Sequence, residues 1–200
     1  MIRDTLLLDL GNVLVPFDFA RGARAFAALT GLDPFELKSS MTGPTLLDIC
    51  AGRLHPHAFF DQLARTSKCD LDRQAAARAW CDIFSPDAEM IALADALAAR
   101  HPTFLWSNID PLHRAFLWPQ LPCLERFRGL HLSYELGAAK PERAFYERAL
   151  ERGAIDPDRA VFVDDVQANL DAAAAFGIAT VRHRSAESTR QALAALGFSR

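Results

Sequence analysis

Five short segments of the chain are apolar at nearly every position, without the polar alternation that a half-exposed strand shows. Such runs are typical of strands in a parallel sheet that is covered on both faces. The segments that we predict as strands cover residues 5–10, 103–106, 129–132, 160–163 and 178–181. The pattern therefore predicts a buried parallel sheet.

Helical patterns alternate with most of these strands. Ser85 followed by Pro86 is typical of a helix start, because serine caps the first turn and proline suits the first helical position. Lys140-Pro141 indicates another start, and further helices are predicted over residues 166–176 and 185–196, each followed by a glycine. Alternating strands and helices predict an α/β fold with right-handed crossovers, a Rossmann-like parallel sheet flanked by helices.

One interval breaks this alternation. Roughly ninety residues separate the first predicted strand from the second, far more than a single crossover helix requires. Within that interval Phe19, Ala23 and Phe26 share one helical face, and Trp80 and Ile83 share another. We therefore predict an inserted α-helical cap domain. The expected division is a core of residues 1–15 and 86–200 and a cap of residues 16–85.

Composition and charge narrow the class of protein. Half of the residues are hydrophobic and 24% are charged, which is typical of a globular protein. A net charge of −3 gives no reason to expect a nucleic acid or an anionic membrane as partner. The four cysteines form no CxxC pair, which favours free thiols in a reducing cytoplasm. Because Asp9 interrupts the apolar N-terminal run, we expect neither a signal peptide nor a membrane span.

Polar residues follow four of the predicted strands. Asp9 ends the first strand, Ser107-Asn108 ends the second, Lys140 follows the third, and Asp164-Asp165 ends the fourth. Ligands of open parallel sheets bind beyond the carboxyl ends of the strands. The sequence therefore predicts that an acid, a hydroxyl, an amine and a second acid meet at one edge of the sheet.

This set of groups suits the hydrolysis of a phosphate ester. A carboxylate that approaches a phosphate is repelled by about 4 kcal/mol at roughly 4 Å and an effective dielectric constant near 20. A Mg²⁺ ion held by Asp9 and Asp165 would cancel that repulsion. Lys140 adds positive charge, and a helix start beside it would add backbone N–H groups. Ser107 and the Asn108 N–H can bind phosphate oxygens while Asp9 attacks phosphorus.

Each of these residues has another interpretation when it is taken alone. Asp9 could stabilise a turn after a strand, Ser107-Asn108 could begin an ordinary loop, and Lys140 could be a solvated lysine. Asp164 or Asp165 could cap the following helix. The hypothesis of an active site depends on their joint placement at the strand ends.

Four motifs together resemble those of the haloacid dehalogenase-like hydrolases along the whole chain. They are residues 8–14 (LDLGNVL), residues 105–108 (LWSN), residues 135–142 (ELGAAKPE) and residues 162–170 (FVDDVQANL). Within this superfamily the chain looks closest to bacterial α-D-glucose-1-phosphate phosphatases and to the N-terminal phosphatase domain of soluble epoxide hydrolases. The fourth motif and Trp118-Pro119 carry that likeness.

The resemblance implies a role for each matching residue. Asp9 would be the nucleophile and a Mg²⁺ ligand, and Asp165 the second carboxylate ligand. Lys140 would steady Asp9 and the phosphate, which Ser107 and Asn108 would bind. Asp164 would be a neighbour of the metal site, with Asn169 close to it.

The first motif departs from the pattern of the family. The family carries a second aspartate two residues after the nucleophile, where it acts as general acid, but this chain has Gly11 there, followed by Asn12 and Val13. Gly11 can offer only its backbone carbonyl to the metal. General acid help is typically worth 10²–10⁴-fold in rate. Asp18 is the candidate for a replacement acid, although it could equally cap a helix that begins near Phe19.

Three further functions compete with a phosphatase. A 2-haloacid dehalogenase would use Asp9 on carbon without metal, and by resemblance it carries an aromatic residue where Gly11 stands. A signalling receiver has its acidic pair after the first strand instead of the fourth. A weakly catalytic regulatory protein would only bind a phosphorylated ligand. The expected partner is a small phosphorylated metabolite such as glucose 1-phosphate, and the oligomeric state stays open between monomer and weak dimer.

Overall fold

The computed structural model describes residues 3–198, and within that range the chain forms five β-strands and eleven α-helices. The strands are β1 Thr5–Leu8, β2 Thr103–Ser107, β3 Gly129–Leu132, β4 Ala160–Asp164 and β5 Ala179–Arg182. The helices are α1 Phe19–Thr30, α2 Pro34–Thr42, α3 Pro44–Cys50, α4 Pro56–Ser67, α5 Arg73–Cys81, α6 Ala88–Ala98, α7 Pro111–Leu117, α8 Ser133–Leu136, α9 Arg143–Gly153, α10 Gln167–Ala174 and α11 Ala186–Ala195.

The strands form one parallel sheet in the order β3-β2-β1-β4-β5. In this register Leu8 lies beside Leu105 on one side and Val163 on the other. All five carboxyl ends therefore meet at one edge, with β1 in the centre. The predicted Rossmann-like parallel sheet is confirmed, and β1 ends at Leu8, which leaves Asp9 just beyond the strand.

Two apolar clusters cover the two faces of the sheet. Leu6 and Leu8 of β1 pack toward α6 and α11, and Leu7 packs toward α9 and α10 together with Trp106 and Phe162. Successive residues of a strand point to opposite faces, so both sets must be apolar when both faces are covered. Burying a large aliphatic or aromatic side chain contributes about 1.5–3 kcal/mol, which explains why the strands lack polar alternation.

Two predicted helix starts are wrong by a few residues. Helix α6 begins at Ala88, because the Asp87 carboxylate, and not Ser85, accepts hydrogen bonds from the free N–H groups of the first turn. Helix α9 begins at Arg143, so Lys140 lies in the turn before it. Helix α11 begins after Ser185 as predicted, with a capping box.

Helices α1 to α5 fill the long interval between β1 and β2 and have an apolar core of their own. Phe26, Phe59, Phe60 and Trp80 pack there against one another. Two adjacent connections join these helices to the sheet, and Phe17 pairs with Phe84 across them in an antiparallel bridge. The predicted helical insertion is confirmed, and its division into a separate domain at residues 16–85 stays a prediction.

No helix within residues 3–198 has the length and apolar character that a membrane span requires.

Candidate active site

Asp9 stands at the centre of the carboxyl edge of the sheet, directly after β1. Its side chain is largely buried, with 7% of the residue exposed. One carboxylate oxygen, Oδ1, accepts a hydrogen bond from the Leu10 N–H at 2.7 Å and lies 2.9 Å from Lys140 Nζ. The backbone N–H of Asp9 is bound to the Val163 carbonyl of β4. The sheet therefore fixes both the position and the direction of this carboxylate.

Lys140 is buried between two carboxylates. Its ammonium lies 2.9 Å from Asp9 Oδ1 and 2.7 Å from Asp164 Oδ2, and 5.1 Å above the centre of the Phe162 ring. Burial alone would lower the pKa of Lys140, but the charges of Asp9 and Asp164 outweigh it and raise that pKa above its usual value. Lys140 is thus a fixed positive charge in the floor of the site.

The charge of Asp9 is costly where it stands. Burial, with help from the Asp164 carboxylate, raises the pKa of Asp9 to about 7, although the Lys140 ammonium lowers it. A strongly perturbed acid in a cleft is typical of functional sites. The positive charge of Lys140 is therefore not enough to keep the pKa of Asp9 at its usual value, and a second cation beside Asp9 would favour its ionised form.

The two aspartates at the end of β4, Asp164 and Asp165, have different surroundings and different partners. Asp164 is buried and accepts hydrogen bonds from Lys140 Nζ, from the Asn169 amide on both oxygens, and from the Val166 N–H. Asp165 is half-buried and accepts one hydrogen bond from the Asn12 amide at 3.1 Å. Asp164 therefore holds Lys140 in place, whereas Asp165 faces the cavity that Asp9 also lines.

Carboxylate oxygens of Asp9, Asp164 and Asp165 all lie within 4.8 Å of one another. Hard oxygen ligands at this spacing suit a small divalent cation such as Mg²⁺. Gly11 borders the same cavity. The donor set present in this chain therefore fits the magnesium ion that the sequence predicts.

Ser107 and Asn108 come to the same cavity from the end of β2. The Asn108 side chain donates to the Lys140 carbonyl and accepts from the Lys140 N–H, both at 2.8 Å. The sequence predicted a helix start at Lys140 with free backbone N–H groups beside it. For the N–H of Lys140 this prediction is wrong, because that N–H donates to the Asn108 side chain. The amide of Asn108 instead fastens the Lys140 turn, which contains a cis Lys140-Pro141 bond, to β2.

Gly11 packs directly against the Phe17 ring, a contact that the sequence alone does not indicate. A Cβ built on Gly11 would lie 2.8 Å from Cε1 of the Phe17 ring, closer than side chains pack. Asn12 has a left-handed backbone (φ 52°), and its side-chain oxygen accepts from the Phe17 N–H at 3.3 Å. This turn places the Phe17 ring over Gly11, in the space that a side chain at position 11 would take.

The structure does not bring Asp18 to the site. Its carboxylate accepts from the Ala20 N–H and caps α1, its side chain is about half exposed, and it does not border the cavity around Asp9. Asp18 therefore has the helix-capping position that the sequence left open as its alternative.

Sequence reasoning missed a buried polar group beside the cavity. The Asp110 carboxylate lies 2.7 Å from His113 Nδ1 and accepts from Trp80 Nε1 at 3.0 Å, and His113 Nε2 lies 2.9 Å from the Trp80 carbonyl. Asp110 caps the start of α7 and His113 lies in that helix, whereas Trp80 belongs to α5. Asp110 followed by Pro111 could have indicated the helix cap, but no local pattern indicates the contact with Trp80.

The cavity above Asp9 has a volume of about 210 Å³ and lies between the sheet edge and the inserted helices. Its floor is formed by the polar residues described above. Its upper wall is formed by side chains of and around the insertion, namely Phe17, Phe19, Leu46, Ile83 and Phe84. This size is enough for a phosphoryl group and a small organic substituent.

The fold defines the Rossmann-like class of α/β proteins, with chemistry at the carboxyl edge of the sheet. The chain belongs to the haloacid dehalogenase-like hydrolases, whose family model matches residues 4–177.

Similarity to chains from Bacteroides thetaiotaomicron extends along nearly the whole chain, in sequence and in structure. A D-ribitol-5-phosphate phosphatase is 25% identical over 206 aligned positions, which cover 96% of this chain and 97% of that protein. The crystal structure of a family enzyme in complex with magnesium and inorganic phosphate has a TM-score of 0.82 at 25% identity, covering 92% and 95% of the two chains.

The L-2-haloacid dehalogenase of Xanthobacter autotrophicus is a more distant relative. Its structure has a TM-score of 0.64 at 20% identity, covering 98% of this chain and 83% of that chain. This likeness concerns the fold alone. The closer likeness to glucose-1-phosphate phosphatases and epoxide hydrolase phosphatase domains stays a prediction.

Proposed function

We propose that this chain is a Mg²⁺-dependent phosphatase in which Asp9 attacks the phosphorus atom of a small phosphorylated metabolite. The observation that carries the proposal is the convergence of Asp9, Asp164 and Asp165 around one point, with Lys140 buried against two of them. So many carboxylates are tolerable in one buried place only when a cation joins them. The relative that contains magnesium and phosphate supports this assignment.

The residues divide the work as follows. Mg²⁺, held by Asp9, the Gly11 carbonyl and Asp165, would offset the repulsion between the carboxylate and the phosphate. The hydroxyl of Ser107 and the backbone of Asn108 bind phosphate oxygens. Lys140 holds Asp9 through its 2.9 Å contact and adds positive charge beside the phosphate.

Asp9 acts as a covalent catalyst. Its free oxygen forms a bond to phosphorus while the bond from phosphorus to the ester oxygen breaks, and the electron pair leaves with that oxygen. The aspartyl-phosphate is then hydrolysed by water, which returns the Asp9 carboxylate and releases inorganic phosphate. With glycine at position 11 and Asp18 outside the cavity, protonation of the departing oxygen falls to water.

The physiological substrate predicted from the resemblance is a sugar phosphate such as glucose 1-phosphate, and similarity to a ribitol-5-phosphate phosphatase supports this chemical class. The helices α1 to α5 would act as the cap that selects the substrate. A 2-haloacid dehalogenase is the alternative on the same fold, but it has no use for an acidic cluster that suits a divalent cation.

A phosphate-release assay with p-nitrophenyl phosphate and a panel of phosphorylated metabolites tests the proposal. We expect release that needs Mg²⁺, stops with EDTA, and falls roughly a thousandfold or more in Asp9→Asn. Asp95→Asn is the matched control, because Asp95 pairs with Arg126 at an exposed position and does not border the cavity. Wild-type rates in a folded Asp9→Asn protein would disprove the role of Asp9, and chloride release from chloropropionate without metal would favour the dehalogenase.

A further inference from the structure

The wall of the cavity that faces the Asp9 floor is aromatic. The Phe17 ring lies edge-on to Phe19, with centroids 5.2 Å apart, and edge-on to Phe84 at 6.3 Å. All three rings are partly exposed, and Leu46 and Ile83 extend the same wall. A substrate held by its phosphate would therefore place its organic part against hydrocarbon.

Phe17 is fixed in this wall by the protein itself. Its N–H binds the Asn12 side chain, whose amide also donates to Asp165, and its ring covers Gly11. The Phe17 ring thus covers the position two residues after Asp9, which is where a side chain at position 11 would lie. The three atoms that would lie nearest to a Cβ at Gly11 all belong to the Phe17 ring.

The imidazole and amide side chains that border the cavity already have partners. Both ring nitrogens of His113 are engaged, by Asp110 and by the Trp80 carbonyl. Asn108 holds the Lys140 turn, and Asn12 holds Phe17 and Asp165. A polyol brought into this cavity would give up the hydrogen bonds of its hydroxyls to water and find few replacements, which costs binding free energy.

We propose, on the basis of the phosphatase function above but in place of the sugar phosphate that the resemblance implies, that the site takes phosphate monoesters of small, mostly apolar alcohols with a low pKa, with Phe17 as the specificity-determining residue. An aryl phosphate is the model for this class. Its phenol, like that of tyrosine, ionises near pKa 10, so the departing oxygen can leave as an anion and take its proton from water. Gly11, which cannot protonate a departing oxygen, and the apolar wall of the cavity thus both favour an aryl phosphate.

Steady-state kinetics on one aryl ester and two sugar or polyol esters test the inference. We expect kcat/KM for phenyl phosphate to exceed that for D-ribitol 5-phosphate and glucose 1-phosphate by at least tenfold, since apolar contacts of this size discriminate by about 10–200-fold. Among substituted phenyl phosphates, kcat should rise as the pKa of the phenol falls.

The variant Phe17→Ala identifies the residue responsible. We expect it to lower kcat/KM for phenyl phosphate about tenfold, mainly through KM, and to lower kcat/KM for the polyol phosphate by a clearly smaller factor. Phe35→Ala is the control, because Phe35 is 81% exposed on α2 and does not border the cavity. Phe17→Leu, which keeps an apolar side chain, should recover part of the loss and guards against a folding defect.

The possible failures are distinguishable. If a polyol phosphate is hydrolysed faster than phenyl phosphate, with Mg²⁺ and Asp9 still required, the aryl assignment is overturned and the phosphatase function stands. Equal losses on both esters in Phe17→Ala would overturn the role of Phe17. If no ester releases phosphate in an Asp9-dependent way, the proposed function itself fails.

Discussion

At the scale of single residues, the burial of Asp9 conflicts with the need for its carboxylate to be ionised. Asp9 is buried deeply enough that its pKa rises to about 7, yet it must be ionised to attack phosphorus. Lys140 supplies part of the missing charge, and Asp164 and Asn169 hold Lys140 in position. Asp165, with a single amide partner, is the carboxylate that remains most available to a cation.

The pair Gly11 and Phe17 leads to a prediction about acid catalysis. In Gly11→Asp alone, the new side chain meets the Phe17 ring and must displace it. In Gly11→Asp combined with Phe17→Ala the space is free, so the new carboxyl can protonate a departing oxygen. We expect the double variant to hydrolyse an alkyl ester such as glycerol phosphate at least tenfold faster than Phe17→Ala, a modest share of the 10²–10⁴-fold that acid catalysis can supply.

The test measures kcat for four proteins: the wild type, Gly11→Asp, Phe17→Ala and the double variant. Phenyl phosphate serves as the control ester, because its phenol needs little protonation to leave. If the double variant gains nothing on the alkyl ester, or gains equally on both esters, the space over Gly11 is not the place of a missing acid.

At the scale of elements, the sequence predicted the strand ends well because buried parallel strands have a strong apolar signal. Asp9, Ser107, Lys140 and Asp165 could therefore be placed at one edge before any coordinates. The position of Phe17 could not be predicted, because it depends on the left-handed turn at Asn12. The start of α6 was misplaced because Ser85 and Asp87 can both cap a helix, and only the backbone shows which one does.

The contact between α5 and α7 depends on Asp110, and it gives a prediction about stability. Burial raises the pKa of Asp110, but His113 and the hydrogen bonds it receives outweigh burial and keep that pKa below its usual value. We expect Asp110→Asn to lower the free energy of unfolding at pH 7 by about 2–4 kcal/mol, since a buried charge loses its partner. Urea unfolding measures this loss.

Asp33→Asn is the matched control, because Asp33 caps α2 at the surface and asparagine caps a helix as well as aspartate. Its loss should be near zero. Because a lowered acid pKa contributes stability that is lost as pH falls, the effect of Asp110→Asn should shrink below about pH 4. Equal losses in the two variants at pH 7 would mean that the contact with Trp80 and His113 contributes nothing beyond the cap.

At the scale of the whole molecule, the cation and the fold are coupled. The acids that would hold Mg²⁺ follow two neighbouring strands, Asp9 after β1 and Asp165 after β4, and without a cation between them they repel one another. A ligand that binds only the folded state stabilises it by about 2.7 kcal/mol at a concentration one hundred times its Kd. For a chain of this length that corresponds to a rise of roughly 5–10 °C in Tm.

We therefore expect saturating Mg²⁺ to raise the Tm of the wild type by several degrees above its value in EDTA, as measured by thermal unfolding without substrate. Asp165→Asn should lose most of this rise, because it removes a ligand charge and keeps the hydrogen-bonding shape that faces Asn12. Asp95→Asn, at an exposed ion pair outside the cavity, should keep this rise. A Tm that is the same with Mg²⁺ and with EDTA would show that the acids at the sheet edge do not form a cation site, and catalysis by Asp9 would then need another source of positive charge.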